Sequence, residues 1–391
     1  MGIFGGSKKE KLVAVFDIGS GSVGGALAHI PEDGNLLPEI ITSARTEIAF
    51  QENLDFATFT EDMIGALKET AKTIYNSRLG APKEIVCVLA SPWYLSETRL
   101  VKTERTTHFV FNKRIADELL QNEITALDKE YKKKYSDTDS LPEMIESKTL
   151  SVMLNGYPID NPMGVKAKSV EMNIIVSLSP KLCLDKIRET LSGTFHHTPI
   201  LFESFVTASY LAVRDKYISP DSYLLIDIGG EITDVTIVSK GILKASLSFP
   251  FGRQALFRMI MKNMNVDVRE AQSVFSLYAS NTLEEGRKEK FSSVLEEIKK
   301  SWNSAFRVAL DSLPRTLTLP SAIFLTADSD VTTWFSNILE CEEYLKSLSS
   351  DKKCTVVTMK GPEFLDMCKV KSGGCDPFLM IEAISVMRQN K

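Results

Sequence analysis

Short apolar runs rich in β-branched residues alternate along this chain with stretches of helical spacing, and they do so twice in the same order. Residues 12–19, 22–30 and 38–50 read as three successive strands from their length and composition. A helix is predicted over 56–76, where Phe59, Met63, Leu67 and Ala71 recur at helical spacing and Thr58 or Thr60 supplies the cap. A fourth strand, 84–90, is closed by Ser91-Pro92. The order then returns: strand, turn and strand over 223–238, a third strand at 241–249, an almost wholly helical stretch at 253–315, and a buried strand at 322–326. A helix over 334–345, a strand over 354–359 and a last apolar helix over 377–388 complete the pattern.

Between the two copies the pattern changes character. A polar strand at 98–110 and a helix at 112–134 precede a polar loop at 136–140. The charged run at 129–135 reads as a solvated helix face. Strands at 148–154 and 170–178 flank the turn Asn155-Gly156-Tyr157-Pro158, and a helix follows at 180–191, which makes an α+β module inserted into the first copy. A short strand then enters a helix over 198–212, with Glu203 at the junction. These spans divide the chain into 1–97, the insert 98–196, a connecting strand and helix 197–221, a second domain 222–375 with a helical part at about 250–318, and a final helix 376–391 packing back on the first domain.

Composition narrows the classes. The chain has 391 residues, 43% of them apolar and 25% charged, as in an ordinary globular protein long enough for two domains. A net charge of −5 gives no sign of a nucleic-acid binder. The six cysteines and four histidines show no zinc-ligand spacing, so the thiols read as free and buried. No apolar run is long enough to span a bilayer, and Gly6 stands where a myristoylation signal needs Ser or Thr. The start Met1-Gly2-Ile3-Phe4, followed by Lys8, Lys9 and Lys11, reads as a frayed basic leader. His196-His197 reads as an exposed turn, Trp302 and Trp334 as core, and Lys166 and Lys168 as solvated loop lysines.

Candidate chemistry sits at the bends of the two copies. Asp17-Ile18-Gly19-Ser20-Gly21-Ser22 and Asp227-Ile228-Gly229-Gly230-Glu231 each place a carboxylate at a strand end and glycines in the turn. Glycine lets the backbone turn closely with its N–H groups free to face an anion, and the carboxylate can hold a hydrated metal beside it. One such Asp alone would be an ordinary turn residue; the repetition points to a phosphate–magnesium clamp.

A duplicated strand–strand–strand–helix unit with Asp-x-Gly bends resembles the actin-like ATPase superfamily. The segment Met153-Leu154-Asn155-Gly156-Tyr157-Pro158, followed by Asn161-Pro162 and Gly164, resembles the inserted SHS2 subdomain of the FtsA family of bacterial cell-division proteins, to which the PilM pilus-assembly family is the near relative. The resemblance implies an α/β fold: a duplicated actin-like (ribonuclease H-like) two-domain architecture with an inserted α+β SHS2-type subdomain. It implies ATP or ADP with Mg2+ between the domains. Asp17, Gly19, Ser20, Gly21 and Ser22 would form the first phosphate loop, and Asp227, Gly229, Gly230, Glu231 and Thr233 the second. Asp17 and Asp227 would hold magnesium mostly through water, and Glu203 would place the ion or the attacking water. Glu270, Thr326 and Ala327 would meet the adenosine.

Three departures stand against that pattern. Glu231 replaces a third glycine, Ala327-Asp328 replaces the Gly-Gly under the base, and Phe275 replaces a lysine. The implied function is a nucleotide-dependent scaffold, at most a slow ATPase, that self-associates and links to a tubulin-like division protein and divisome membrane proteins. It would bind no nucleic acid and lie in the cytoplasm, in peripheral contact with the inner face of the cell membrane. A pseudo-ATPase is the alternative that the three departures motivate. A PilM-like cytoplasmic platform for pilus or secretion assembly is the alternative that the Met-Gly-Ile-Phe start motivates, together with an end at Lys391 without a membrane-targeting amphipathic helix.

Overall fold

The computed structural model of the protein describes residues 10–32, 36–134, 141–159, 161–217, 219–313, 317–341 and 354–389. The leader at 1–9, the polar loop 136–140 and the end of the predicted helix at 342–345 lie outside the described residues.

In the first half, β1 (Glu10–Ile18), β2 (Ser22–Pro31) and β3 (Glu39–Glu47) form an antiparallel meander. Helix α1 (Phe56–Asn76) then crosses to β4 (Glu84–Leu89), which runs parallel to β1. Its core face carries Phe59, Met63, Leu67, Ala71 and Ile74, and each large side chain buried there contributes about 1.5–3 kcal/mol. The cap of α1 is Asp55, whose side chain accepts the Thr58 N–H, rather than Thr58 or Thr60 itself. Its carboxylate outcompetes the hydroxyls because it sits one position before the first helical residue, where the unpaired N–H groups point.

The insert follows as β5 (Leu95–Val110), α2 (Lys113–Lys134), β6 (Pro142–Leu154), β7 (Tyr157–Pro158), β8 (Lys166–Pro180) and α3 (Lys181–Phe195). Its sheet has the order β5-β8-β6-β7 and is antiparallel throughout. Strands β6 and β8 begin earlier than their apolar runs, because long antiparallel partners extend pairing into polar sequence. A separate core of Phe111, Ile115, Leu127, Val170, Met172 and Ile174 lies under α2. The chain re-enters the first sheet as β9 (Ile200–Ser204), beside β4, and leaves by α4 (Phe205–Lys216).

The second half repeats the plan with β10 (Tyr223–Ile228), β11 (Thr233–Ser239) and β12 (Ile242–Phe249). The long helical stretch is three helices, α5 (Arg253–Met264), α6 (Val268–Ala279) and α7 (Glu285–Asp311). Asn265 at φ +57° ends α5, and Asp267 caps α6 by accepting the Glu270 N–H, so two short polar residues break what pattern alone reads as continuous. Strand β13 (Ala322–Ala327), α8 (Thr332–Cys341), β14 (Thr355–Thr358), a short β15 (Lys369–Val370) and α9 (Pro377–Gln389) follow. The two sheets have the orders β15-β3-β2-β1-β4-β9 and β12-β11-β10-β13-β14, so strands three, two, one, four and five of each half occupy equivalent places. Helices α4 and α9, each following the fifth strand of its half, pack against one another, and α9 also lies on β1 and β2. Trp302 is fully buried, whereas Trp334 is half-buried at a cavity wall. His196 and His197 are exposed.

Candidate functional site

The two bends face each other at the ends of equivalent strands. Each is closed by the same bond: the Gly19 N–H donates to Ser22 O at 3.1 Å, and the Gly229 N–H to Ile232 O at 2.9 Å. The first turn is held from outside by the Trp93 indole N–H on Gly19 O (2.7 Å) and the Ile48 N–H on Gly21 O (2.9 Å). The second is held by the start of α5, whose Arg253 and Gln254 N–H groups donate to Gly229 O (2.9 Å) and Gly230 O (2.7 Å).

The turns touch. The Glu231 N–H donates to Ser20 Oγ at 3.0 Å, and a Cβ on Gly230 would fall 2.4 Å from Gly21 N and 2.5 Å from the Ser20 carbonyl. Only glycine permits that approach. Between them lies a cavity of about 30 Å3, lined by Asp17, Gly19, Ser20, Gly21, Ser22, Asp227, Gly229 and Gly230 together with Arg45, Asp328 and Phe378. Eight of the residues expected at the phosphate loops therefore meet at one place.

The others are placed around it or away from it. Thr326 stands beside Asp227 in the parallel register of β10 and β13, and its hydroxyl donates to Asp227 Oδ1 at 2.6 Å. Ala327 lines an adjoining cavity of about 520 Å3 that runs between the end of β13 and the start of α9. The Thr233 hydroxyl is buried and donates to Phe251 O at 2.6 Å. Glu231 is buried with its carboxylate turned to Arg258, whose Nη1 donates to it at 3.0 Å and whose Nη2 also binds it. The charge that departs from the glycine pattern is thus neutralised inside the second half. Glu270 is exposed near the start of α6 and meets Arg287 at 3.3 Å.

Glu203 lies apart from the turns. Asp17 and Glu203 both pair in register with Val88, on opposite sides of β4, so two strand spacings, about 10 Å, separate them. Glu203 faces α9, where Ser385 donates to it at 3.3 Å, and Lys148 Nζ of the insert lies 3.7 Å away. Burial first, and then Glu146, push its carboxyl up to about 7 against the pull of Lys148.

Electrostatics at the bends are dominated by burial. It pushes the carboxyl of Asp17 up, against the pull of Arg45, and that of Asp227 well up, against its hydrogen bond from Thr326. Glu382 of α9, fully buried, is pushed well up by burial and by the nearby Asp17. Asp328 is raised by burial against the pull of Arg253. Arg45, Asp376, Glu382 and Phe378 were not singled out by pattern reading as parts of a site, and Asp328 was singled out only as a departure under the base. Asp376 alone carried a local signal, a helix cap before Pro377. A third cavity, about 690 Å3, opens between α6 and α8 and is lined by Gln272, Phe275, Ser329, Asp330, Trp334 and their neighbours. Arg253 closes one side of it with a forked contact to Asp330 at 2.7–3.0 Å. Among the described residues no helix is long and apolar enough to cross a membrane.

The sequence matches no family model and none of the curated proteins. Among solved structures, the chain resembles one titled PilM-PilN type IV pilus biogenesis complex, with a TM-score of 0.61 at 13% identity over 97% of this chain and 98% of that one. It also resembles the ethanolamine utilization protein EutJ from Carboxydothermus hydrogenoformans, with a TM-score of 0.42 at 10% identity over 97% and 89% of the two chains. The fold is the actin-like, ribonuclease H-like pair of α/β domains, which the repeated strand order displays directly.

Proposed function

We propose that this protein is an actin-like scaffold whose two halves meet over ATP or ADP with magnesium, and which serves as a PilM-like cytoplasmic platform in pilus or secretion assembly. The observation that carries the nucleotide reading is the convergence of Asp17, Asp227 and two glycine turns on one cavity. The donor set fits a magnesium–phosphate pair: two carboxylates at strand ends, and turns without side chains that would block a phosphate. The room fits only when the turns part, because about 30 Å3 holds little more than a water. Asp17 and Asp227 would orient the metal's waters, the turn N–H groups would meet the phosphates, and the cavity between α6 and α8 has the size for the nucleoside. When bound, magnesium supplies charge neutralisation at the phosphates. Hydrolysis would be slow, since Glu203 stands away from the turns, a whole strand from Asp17.

The pilus assignment draws on the whole-length likeness to a PilM chain, insert included. A second reading, an FtsA-like scaffold in division that self-associates and binds a tubulin-like protein, is favoured by one feature. The Asn155-Gly156 bend, at φ +54° and +83°, presents Tyr157 73% exposed at the tip of an insert that we read as SHS2-type. Either assignment puts the protein in the cytoplasm, at the inner face of the membrane. Calorimetric titration with ATP and ADP, each with magnesium, tests the nucleotide reading; no heat of binding up to millimolar ligand sinks it and leaves the pseudo-ATPase. Affinity capture from the native cell separates the two scaffold assignments: a pilus-assembly membrane protein supports the first, a tubulin-like protein the second.

A further inference from the structure

Arg45, on β3, projects into the meeting of the turns and is held there through Nη1 and Nε. Its Nη1 lies 2.8 Å from Asp17 Oδ2 and donates to Ser22 Oγ at 2.9 Å, while its Nε donates to Asp376 Oδ2 at 2.8 Å. The guanidinium lies over the Phe378 ring, 5.4 Å from its centroid. Gly24 makes the space for it, since a Cβ there would fall 2.6 Å from Nη2. Nη2 itself is buried and makes no hydrogen bond to the described residues. A guanidinium in this position is a fixed monovalent cation against the carboxylate that would otherwise face a metal.

Asp376 is equally built in. Its Oδ1 accepts the N–H groups of Phe378 (3.0 Å) and Leu379 (3.3 Å), so the residue that holds Arg45 also caps α9. The segment before it runs along the strand that carries Arg45: Lys369 pairs with Glu39, Val370 with Ile40, the Lys371 N–H donates to Ile40 O at 2.8 Å, and Ser43 Oγ donates to Gly373 O at 3.1 Å. This segment is the return of the chain from the second sheet to α9 on the first. It is a strap between the halves, fastened at its end by Arg45.

The geometry points to Arg45 as the resident cation of the cleft, a latch that holds the Asp17 carboxylate and the strap together in the closed arrangement. A metal–phosphate ligand then enters by displacing Arg45 from Asp17, and the displacement unfastens the strap at Asp376. The ligand half of this inference rests on the nucleotide reading above; the strap half rests on the contacts alone.

The test uses the full chain with Arg45→Gln and, separately, Asp376→Asn, which keeps a good helix cap while removing the charge. Hydrogen exchange without nucleotide should be about tenfold faster or more over residues 369–380 in both variants, the loss of one charge-assisted contact. ATP–magnesium titration should show Arg45→Gln binding about tenfold tighter than the unaltered protein, with Asp376→Asn between them. Unchanged exchange in both variants overturns the latch. Weaker binding by Arg45→Gln overturns it too, because Arg45 would then be a phosphate ligand. Faster exchange with no nucleotide bound by any of the three proteins supports the strap and removes the nucleotide reading.

Discussion

The two halves carry the same hairpin with the same internal bond and the same parallel neighbour, yet their charges are answered differently. In the first, Asp17 meets a cation, Arg45, delivered from β3 and tied to the end of the chain. In the second, the Asp227 side chain takes its hydrogen bond, among the described residues, from the Thr326 hydroxyl, and Arg258 pairs with Glu231 behind the turn. Equal backbones thus support unequal electrostatics. The lesson is that a duplicated motif fixes where a carboxylate stands, while its charge state depends on which side chain the neighbouring elements bring.

The largest expected break of this comparison is Arg258→Ala. It leaves the Glu231 carboxylate buried without its partner, a loss of about 3–5 kcal/mol for a buried pair broken on one side. Urea denaturation of the single variant, and of Arg258→Leu combined with Glu231→Gly, checks it; the double change should recover most of the loss, since it restores the glycine pattern.

The first half also holds a carboxyl that the second lacks, Glu203, and its effect is a matter of pH. Its value in the folded chain is raised from 4.5 to about 7, so its favourable contribution is complete below about pH 4.5 and is lost as pH rises through 7. By the scale of about 1.4 kcal/mol per unit, Glu203→Gln should be more stable than the unaltered protein at pH 8 by up to about 3 kcal/mol, and equal to it at pH 4. Melting curves at the two pH values decide, and equal differences at both would refute the assignment.

Closure of the turns is asymmetric in the same way. Gly230→Ala would place its Cβ 2.4 Å from backbone and force the halves apart, costing about 1–3 kcal/mol, whereas a Cβ on Gly21 at 3.3 Å from Gly230 Cα needs a smaller shift. Thermal denaturation should rank Gly230→Ala well below Gly21→Ala. The smallest effect is Thr326→Val, which removes the only hydrogen bond described to the Asp227 side chain at a cost of about 1–2 kcal/mol, read from the shift in urea midpoint.

Strand–turn–strand spacing made both bends legible, because glycine and aspartate act within a few residues of where they stand. The edges of β6 and β8 and the breaks in the long helical stretch were less legible, since partner strands and single caps set them. Glu203 shows the limit on the site itself: its place at the head of α4 was readable, its separation from Asp17 by a whole strand was not.

By itself the sequence determined the duplicated α/β plan, the insert and the eight residues that converge at the turns, all through local periodicity and turn chemistry. Only the tertiary structure decided that the turns touch, that Glu231 is neutralised by Arg258, and that Arg45 fills the space beside Asp17. The reason is range. Hydrophobic period is written every few residues, but Arg45 and Asp376 are 331 positions apart, and an ion pair across that distance exists only once both sheets and the returning strap are in place.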